Sequence, residues 1–288
     1  MKPKPIVACC VAEVIGTFLL IFFGLGAVHT AVLVGGLAGL WQVAIVWGLA
    51  IMIAVYAVGP ISGAHINPAI TIGFSIWGLF PKNRILPYVG SQLLGAFLAA
   101  AMLFVMFSPH IQAKEEQLGV TRGEIGSIVT ASCYGEYFPN PGGLTFEDNS
   151  PGEVVEENYK LASESVAFLT ELLGTAILAM MVLAVTEPTH SGGPKNLAPV
   201  FIGLTVAALI CVIAPITQAC FNPARDFGPR LFAYFAGWGE IALPGPRPRP
   251  TGFLTVYIIA PIVGSIIGSG LYLKVLRPHV PDDSVEEE

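Results

Sequence analysis

Charge is scarce in this chain. Only 12% of its 288 residues are Asp, Glu, Lys or Arg, about half the share usual in a soluble domain. With 54% hydrophobic residues and a mean hydropathy of +0.70, the composition excludes a water-soluble domain and implies an integral membrane protein. No basic cluster is present, so nucleic acid is not an expected partner. Cysteine is also sparse: the five residues Cys9, Cys10, Cys133, Cys211 and Cys220 show no metal-ligand spacing, and four lie in apolar runs as small hydrophobes. The sequence has no His/Asp/Glu cluster and no nucleophile–base spacing, so neither an enzyme nor a metal site or cofactor is expected. A cleavable leader is not evident either. Met1–Pro5 is basic, but the apolar run behind it is long, contains Glu13 and lacks a clear cleavage site, so it reads as a retained first span.

What the chain has in abundance is long apolar runs. A spanning helix needs roughly 17–25 mostly apolar residues. Six runs qualify: Ile6–Val28, Leu40–Val58, Ile85–Phe107, Ser165–Val185, Leu197–Ala214 and Phe253–Leu273. They are too long and continuous for barrel strands, and only helices or closed barrels satisfy the backbone in lipid. Two further apolar segments are too short to span. One follows Asn67 and ends near Pro81; the other follows Asn222 and ends near Gly237. Short segments of this kind read as re-entrant helices.

An even number of spans puts both termini on one side. Lys2, Lys4, Lys82, Arg84, Lys195, Lys274 and Arg277 then share that side in short segments. Lys114, Arg122 and Lys160 fall opposite in a long acidic loop, with Arg247 and Arg249 in a Pro-rich one. The short-segment bias places both termini in the cytoplasm, in a plasma or inner membrane. The acidic residues crowd between Glu115 and Glu164 and into the tail Asp282–Glu288. The composition of the loop 108–164 suits a solvated external excursion with some order in it; loops this long are usually functional or disordered, and the sequence leaves that choice open.

The two halves repeat one another. Glu13–Thr17 (EVIGT) matches Glu171–Thr175 (ELLGT), and Trp47–Ala50 (WGLA) matches Ile202–Thr205 (IGLT). Pro60–Ala69 (PISGAHINPA) matches Pro215–Ala224 (PITQACFNPA) without a gap. Tyr88 precedes Gly95 by the same interval as Tyr257 precedes Gly264. Each half is therefore span, span, short helix, span, over about residues 6–107 and 165–276, followed by a tail at 277–288. Three full spans is an odd number, so the second half is inverted. Such a pair places a solute path at the midplane.

The triplets Asn67-Pro68-Ala69 and Asn222-Pro223-Ala224 read as helix starts, since Asn is a favoured N-cap and Pro a favoured first helical residue. Inverted symmetry brings the two starts together. Two positive dipole ends then meet at one point, where cations and excess protons are disfavoured. A capping Asn can still offer an amide donor to a passing oxygen.

These two triplets, the paired Glu-x-x-Gly-Thr motifs and Ser62–Ala69 (SGAHINPA) resemble the major intrinsic protein family, the aquaporins and glycerol facilitators, over nearly the whole chain. The resemblance implies an all-α membrane fold. Six transmembrane helices and two re-entrant half-helices form an inverted repeat in a right-handed bundle, assembled as homotetramers with one pore per subunit. It implies a selectivity filter at Trp47, Ile210, Ala219 and Arg225. Water-selective members place His where Ile210 stands. Trp47 is similar to glycerol facilitators, and Asp226 and Arg230 match their pattern, but Ala219 replaces their second aromatic residue. The combination is similar to plant nodulin-like intrinsic proteins, as are Tyr257 and Ile258. The resemblance thus implies passive conduction of glycerol and water, extending to metalloid acids or urea, with ions and protons excluded.

An intramembrane Arg beside a half-helix start points to function at Arg225. Glu13 and Glu171 occupy matched positions, which favours support of the re-entrant loops over a proton relay. His65 is expected to pack in its loop near the pore rather than sense pH, and Asp226 to support its half-helix through the dipole. Cys220 neighbours the filter and is expected to pack in the core, with mercurial block as the test of a pore-facing thiol. The alternatives are a water-dominant channel and an ion-coupled transporter, which also uses inverted repeats. Ile210 argues against the first, and the shortage of ionisable pairs near Arg225 and Asp226 against the second.

Overall fold

The computed structural model describes residues 4–146, 149–190, 192–245 and 251–281. Lys2, Arg247, Arg249 and the acidic tail Asp282–Glu288 lie outside the described residues. The architecture is all-α. The principal helices are α1 (Ile6–Val34), α2 (Leu40–Ser62), α3 (Pro68–Ile76), α4 (Ile85–Leu118), α5 (Ile128–Ala131), α6 (Pro151–Tyr159), α7 (Glu164–Thr186), α8 (Ala198–Thr217), α9 (Pro223–Ala233), α10 (Gly252–Leu254) and α11 (Ala260–Leu271). Among the described residues six helices are long and apolar enough to cross a membrane, the last running from Gly252 to His279. Helices α3 and α9 are the two short ones, with 9 and 11 residues.

Packing follows the inverted repeat. In the first half α1 packs on α2 and α4; in the second α7 packs on α8 and α11. The halves are joined by α2 against α8, and each half-helix lies on the last span of the opposite half, α3 on α11 and α9 on α4. Where α2 meets α8 the glycines Gly48 and Gly203 face each other. A Cβ on Gly48 would sit 2.8 Å from the Gly203 carbonyl oxygen, and one on Gly203 would run into that of Gly48. Small residues allow this backbone approach without a hydrophobic drive from water.

The Glu-x-x-Gly-Thr motifs explain how the loops before α3 and α9 are held. Glu13 accepts from the Ser62 hydroxyl (2.7 Å), the His65 amide (3.0 Å), the Ile66 amide (2.7 Å) and the Gln92 side chain (2.7 Å). Glu171 accepts from the Thr217 hydroxyl (2.6 Å), the Cys220 amide (2.9 Å) and the Phe221 amide (2.8 Å). The glycine one turn on makes room for the same loop residue. A Cβ on Gly16 would press on Ile66, and one on Gly174 on the Phe221 ring. Ile66 (φ 41°) and Phe221 (φ 53°) are both left-handed, as are Ala64 (φ 48°) and Ala219 (φ 61°). Such backbone costs about 1–3 kcal/mol per residue and persists only where its surroundings over-determine it. The buried carboxylate and the glycine gap do so here.

The segment between α4 and α7 departs from the expected solvated excursion. Helix α4 runs through Pro109 to Leu118, so the loop begins later than residue 108. Every residue from Gly126 to Pro139 is buried. Ile128, Val129, Tyr134 and Tyr137 form a second core with Ile111, Val155 and Trp238. Polar ties fix it: Glu115 accepts from Arg122 (2.9 Å) and Thr130 (2.9 Å), and the Trp238 indole donates to Thr130 (3.0 Å). The acids that made the loop look soluble sit mostly on α6 and the end of α4, where Glu116, Glu153, Glu156 and Glu157 face outward.

Replacing Glu171 by Ala removes the acceptor for two loop amides and strands them in a buried site. Stability should fall by roughly 3 kcal/mol or more, and Glu171→Gln should lose less. Thermal unfolding of the detergent-solubilised protein, followed by circular dichroism, checks both.

Candidate functional site

Helices α3 and α9 begin at the centre of the molecule. Asn67 caps α3 by accepting from the Ala69 amide (2.8 Å), and Asn222 caps α9 by accepting from the Ala224 amide (3.0 Å). The amide group of each cap reaches the other repeat. Asn67 Nδ2 donates to the Phe221 carbonyl (2.9 Å) and Asn222 Nδ2 to the Ile66 carbonyl (2.8 Å). The left-handed residues described above thus supply the acceptors. Each Asn keeps one further amide hydrogen, and both side chains line a cavity of about 140 Å³. Pro68, Ala69, Pro223 and Ala224 are buried in the first turns and form the joint rather than the cavity wall.

That cavity runs from Thr186, at the end of α7 nearer the termini, past His65, Ile66 and the two Asn to Trp47, Ile210, Ala219 and Arg225. A second cavity of about 280 Å³ opens on the other side, lined by Leu37–Leu40, Asn140, Gly142, Gly143 and Gln218. Trp47, Ile210 and Arg225 line both. These three residues therefore stand at the boundary between the two spaces. Ala219 reaches only the first.

The boundary is built by close packing. The Arg225 guanidinium carbon lies 4.4 Å from the Trp47 ring centroid, a cation–π contact that makes them adjoining walls of the boundary. Gly24 gives the Trp47 indole its space, since a Cβ there would overlap the ring. Ile210 presents only carbon. The site thus sets aromatic and aliphatic surface against guanidinium donors.

The remaining residues singled out in the sequence sit behind this wall. Glu13 and Glu171 are fully buried under the two loops. His65 lines the first cavity, and its Nδ1 lies 3.1 Å from the Thr71 hydroxyl, which also receives the Gln92 amide (3.1 Å). Cys220 lines the same cavity and directs its Sγ to the Asn222 carbonyl (3.3 Å). Asp226 faces away from the cavities. It pairs with Arg230 (2.6 Å) and accepts from the Glu136 amide (2.9 Å).

Two residues here lie outside the expected site residues. Gln218 lines the second cavity and ties the long connection down, accepting from the Tyr137 amide (2.8 Å) and donating to the Ser132 carbonyl (3.3 Å). Glu136 is ion-paired with Arg225 through its carboxylate. The signal for Glu136 was its setting: a single acid within the aromatic stretch Tyr134–Phe138 (YGEYF), inside a loop whose other acids lie among polar residues.

A model of the major intrinsic protein family matches residues 2–272. The glycerol uptake facilitator protein of Haemophilus influenzae is 37% identical over 278 residues, covering 96% of this chain and 97% of that protein. The propanediol uptake facilitator of Citrobacter freundii is 37% identical over 277 residues, covering 95% and 94%. Among solved structures, the aquaglyceroporin from Plasmodium falciparum superposes with a TM-score of 0.77 at 26% identity, covering 96% of this chain and 99% of that one. With matched relatives over almost its whole length, the chain belongs to the major intrinsic protein family.

Proposed function

We propose that this protein is a passive channel for small uncharged solutes, with glycerol and water as its main permeants. One observation carries the reading: two cavities meet at a boundary with carbon on one side (Trp47, Ile210) and fixed guanidinium donors on the other (Arg225). A polyol has the same two faces. Bore, lining donors and an Arg barrier are what decide permeation at such a site. The relatives named as glycerol and propanediol uptake facilitators support a carbon-bearing solute.

Roles follow from position. Trp47, Ile210, Ala219 and Arg225 act as the selectivity filter. Asn67 and Asn222 each offer one amide hydrogen at mid-path, and two half-helix starts disfavour cations there. Ile210 supplies no donor to replace lost water contacts, so water passes without being preferred. Urea and metalloid acids, which are small, neutral and rich in acceptors, fit the same slot. Ion-coupled transport finds little support: among the described residues, the titratable side chains lining the two cavities are His65, Cys220 and Arg225. The whole chain is read as one channel domain, a homotetramer subunit in a plasma or inner membrane. Both termini are cytoplasmic, on the side of Lys4, Lys82, Arg84, Lys195, Lys274 and Arg277.

In proteoliposomes, stopped-flow light scattering should show shrinkage and then rapid re-swelling in glycerol, and none in a non-permeant sugar. Water flow without glycerol re-swelling would overturn the proposal. Ile210→His narrows the slot and adds a polar wall. The glycerol-to-water permeability ratio in that variant should drop roughly tenfold, the change that a barrier difference of about 1.4 kcal/mol produces.

A further inference from the structure

Arg225 does not stand alone at the boundary. The Glu136 carboxylate is paired with its guanidinium, and the Glu136 backbone is held from both sides. Its amide donates to Asp226 (2.9 Å), and its carbonyl accepts from Arg230. Arg230 in turn pairs with Asp226 (2.6 Å) and donates to the Ala242 carbonyl (2.8 Å). Four charges of alternating sign thus form one buried network, with no member more than 4% exposed. Glu136 lines neither cavity, whereas Arg225 lines both. The guanidinium therefore screens the carboxylate from the path.

Burying a carboxylate costs several kcal/mol unless it is paired, and removing one partner leaves an uncompensated charge in a low-dielectric site. We infer that Glu136 is a positioning residue that neutralises Arg225 from behind and sets the ion preference of the constriction: the guanidinium that faces the path is one half of an ion pair rather than a bare positive charge. This rests on the channel reading above. It has a consequence that a lone arginine would not have. Taking Arg225 away does not leave a neutral hole. It uncovers a carboxylate beside the bore, which attracts cations. Taking the carboxylate away instead leaves a bare guanidinium, which attracts anions.

The test compares wild type, R225A, E136Q and the double variant in lipid bilayers under a KCl gradient, reading conductance and reversal potential. R225A should raise K⁺ permeability roughly tenfold and move the reversal potential toward that of K⁺. The double variant should lose most of that gain. E136Q alone should move the reversal potential toward that of Cl⁻. A double variant as cation-selective as R225A, or an E136Q variant with unshifted ion preference, overturns the inference. If R225A does not assemble, the isosteric E136Q decides the matter by itself. Glycerol re-swelling of wild-type vesicles separates the two readings. Its absence defeats the channel reading, while glycerol flux with no Glu136-dependent ion preference defeats only this inference.

Discussion

Two helices begin in the middle of a bilayer, where an unsatisfied backbone group costs several kcal/mol. The pair of hydrogen bonds that makes this tolerable joins the repeats: Asn67 to the Phe221 carbonyl and Asn222 to the Ile66 carbonyl. Each Asn caps its own half-helix with its oxygen and the opposite loop with its nitrogen. Those carbonyls are available only because Ile66 and Phe221 are held left-handed, by Glu13 and Gly16 in one half and Glu171 and Gly174 in the other. The position of Arg225, one turn beyond Asn222, follows from the same joint.

The symmetry is kept where it bears load and dropped where chemistry is needed. Glutamate, glycine, asparagine and proline recur at matched places. After the triplets the halves diverge: Ile70 and Thr71 in one, Arg225 and Asp226 in the other. Thr71 links His65 and Gln92, and Gln92 passes on to Glu13. Asp226 instead anchors Arg230 and the Glu136 backbone, and so draws the long connection over the boundary. The first half ties its loop with hydrogen bonds, and the second adds ion pairs. Trp47 and its counterpart Ile202 both line the path, but only Trp47 reaches the second cavity and stacks on Arg225.

Much of this was legible in the sequence because it is local. Apolar runs mark the spans, Asn-Pro marks a helix start, and a gapless ten-residue repeat marks the inversion. The helix ends were less legible. Helix α4 continues into polar sequence past Phe107, since a helix leaving the bilayer satisfies its own backbone and needs no apolar coat. The acids of the connection 108–164 suggest solvent, and those on α6 do face outward, whereas residues 126–139 pack inward on Trp238 and Ile111. The aromatic setting Tyr134–Phe138 marks Glu136, but its partners Asp226, Arg225 and Arg230 lie some ninety residues away, and no local pattern names them.

The central claim is that the two half-helices form one joint rather than two independent caps. A double-mutant cycle tests it: unfolding free energies of wild type, Asn67→Ala, Asn222→Ala and the double variant in one detergent. If the joint is shared, the second substitution should cost about 1 kcal/mol less once the first has opened it, within the range seen for contacting residues. Costs that simply add would show that each Asn serves only its own helix, and would contradict the account.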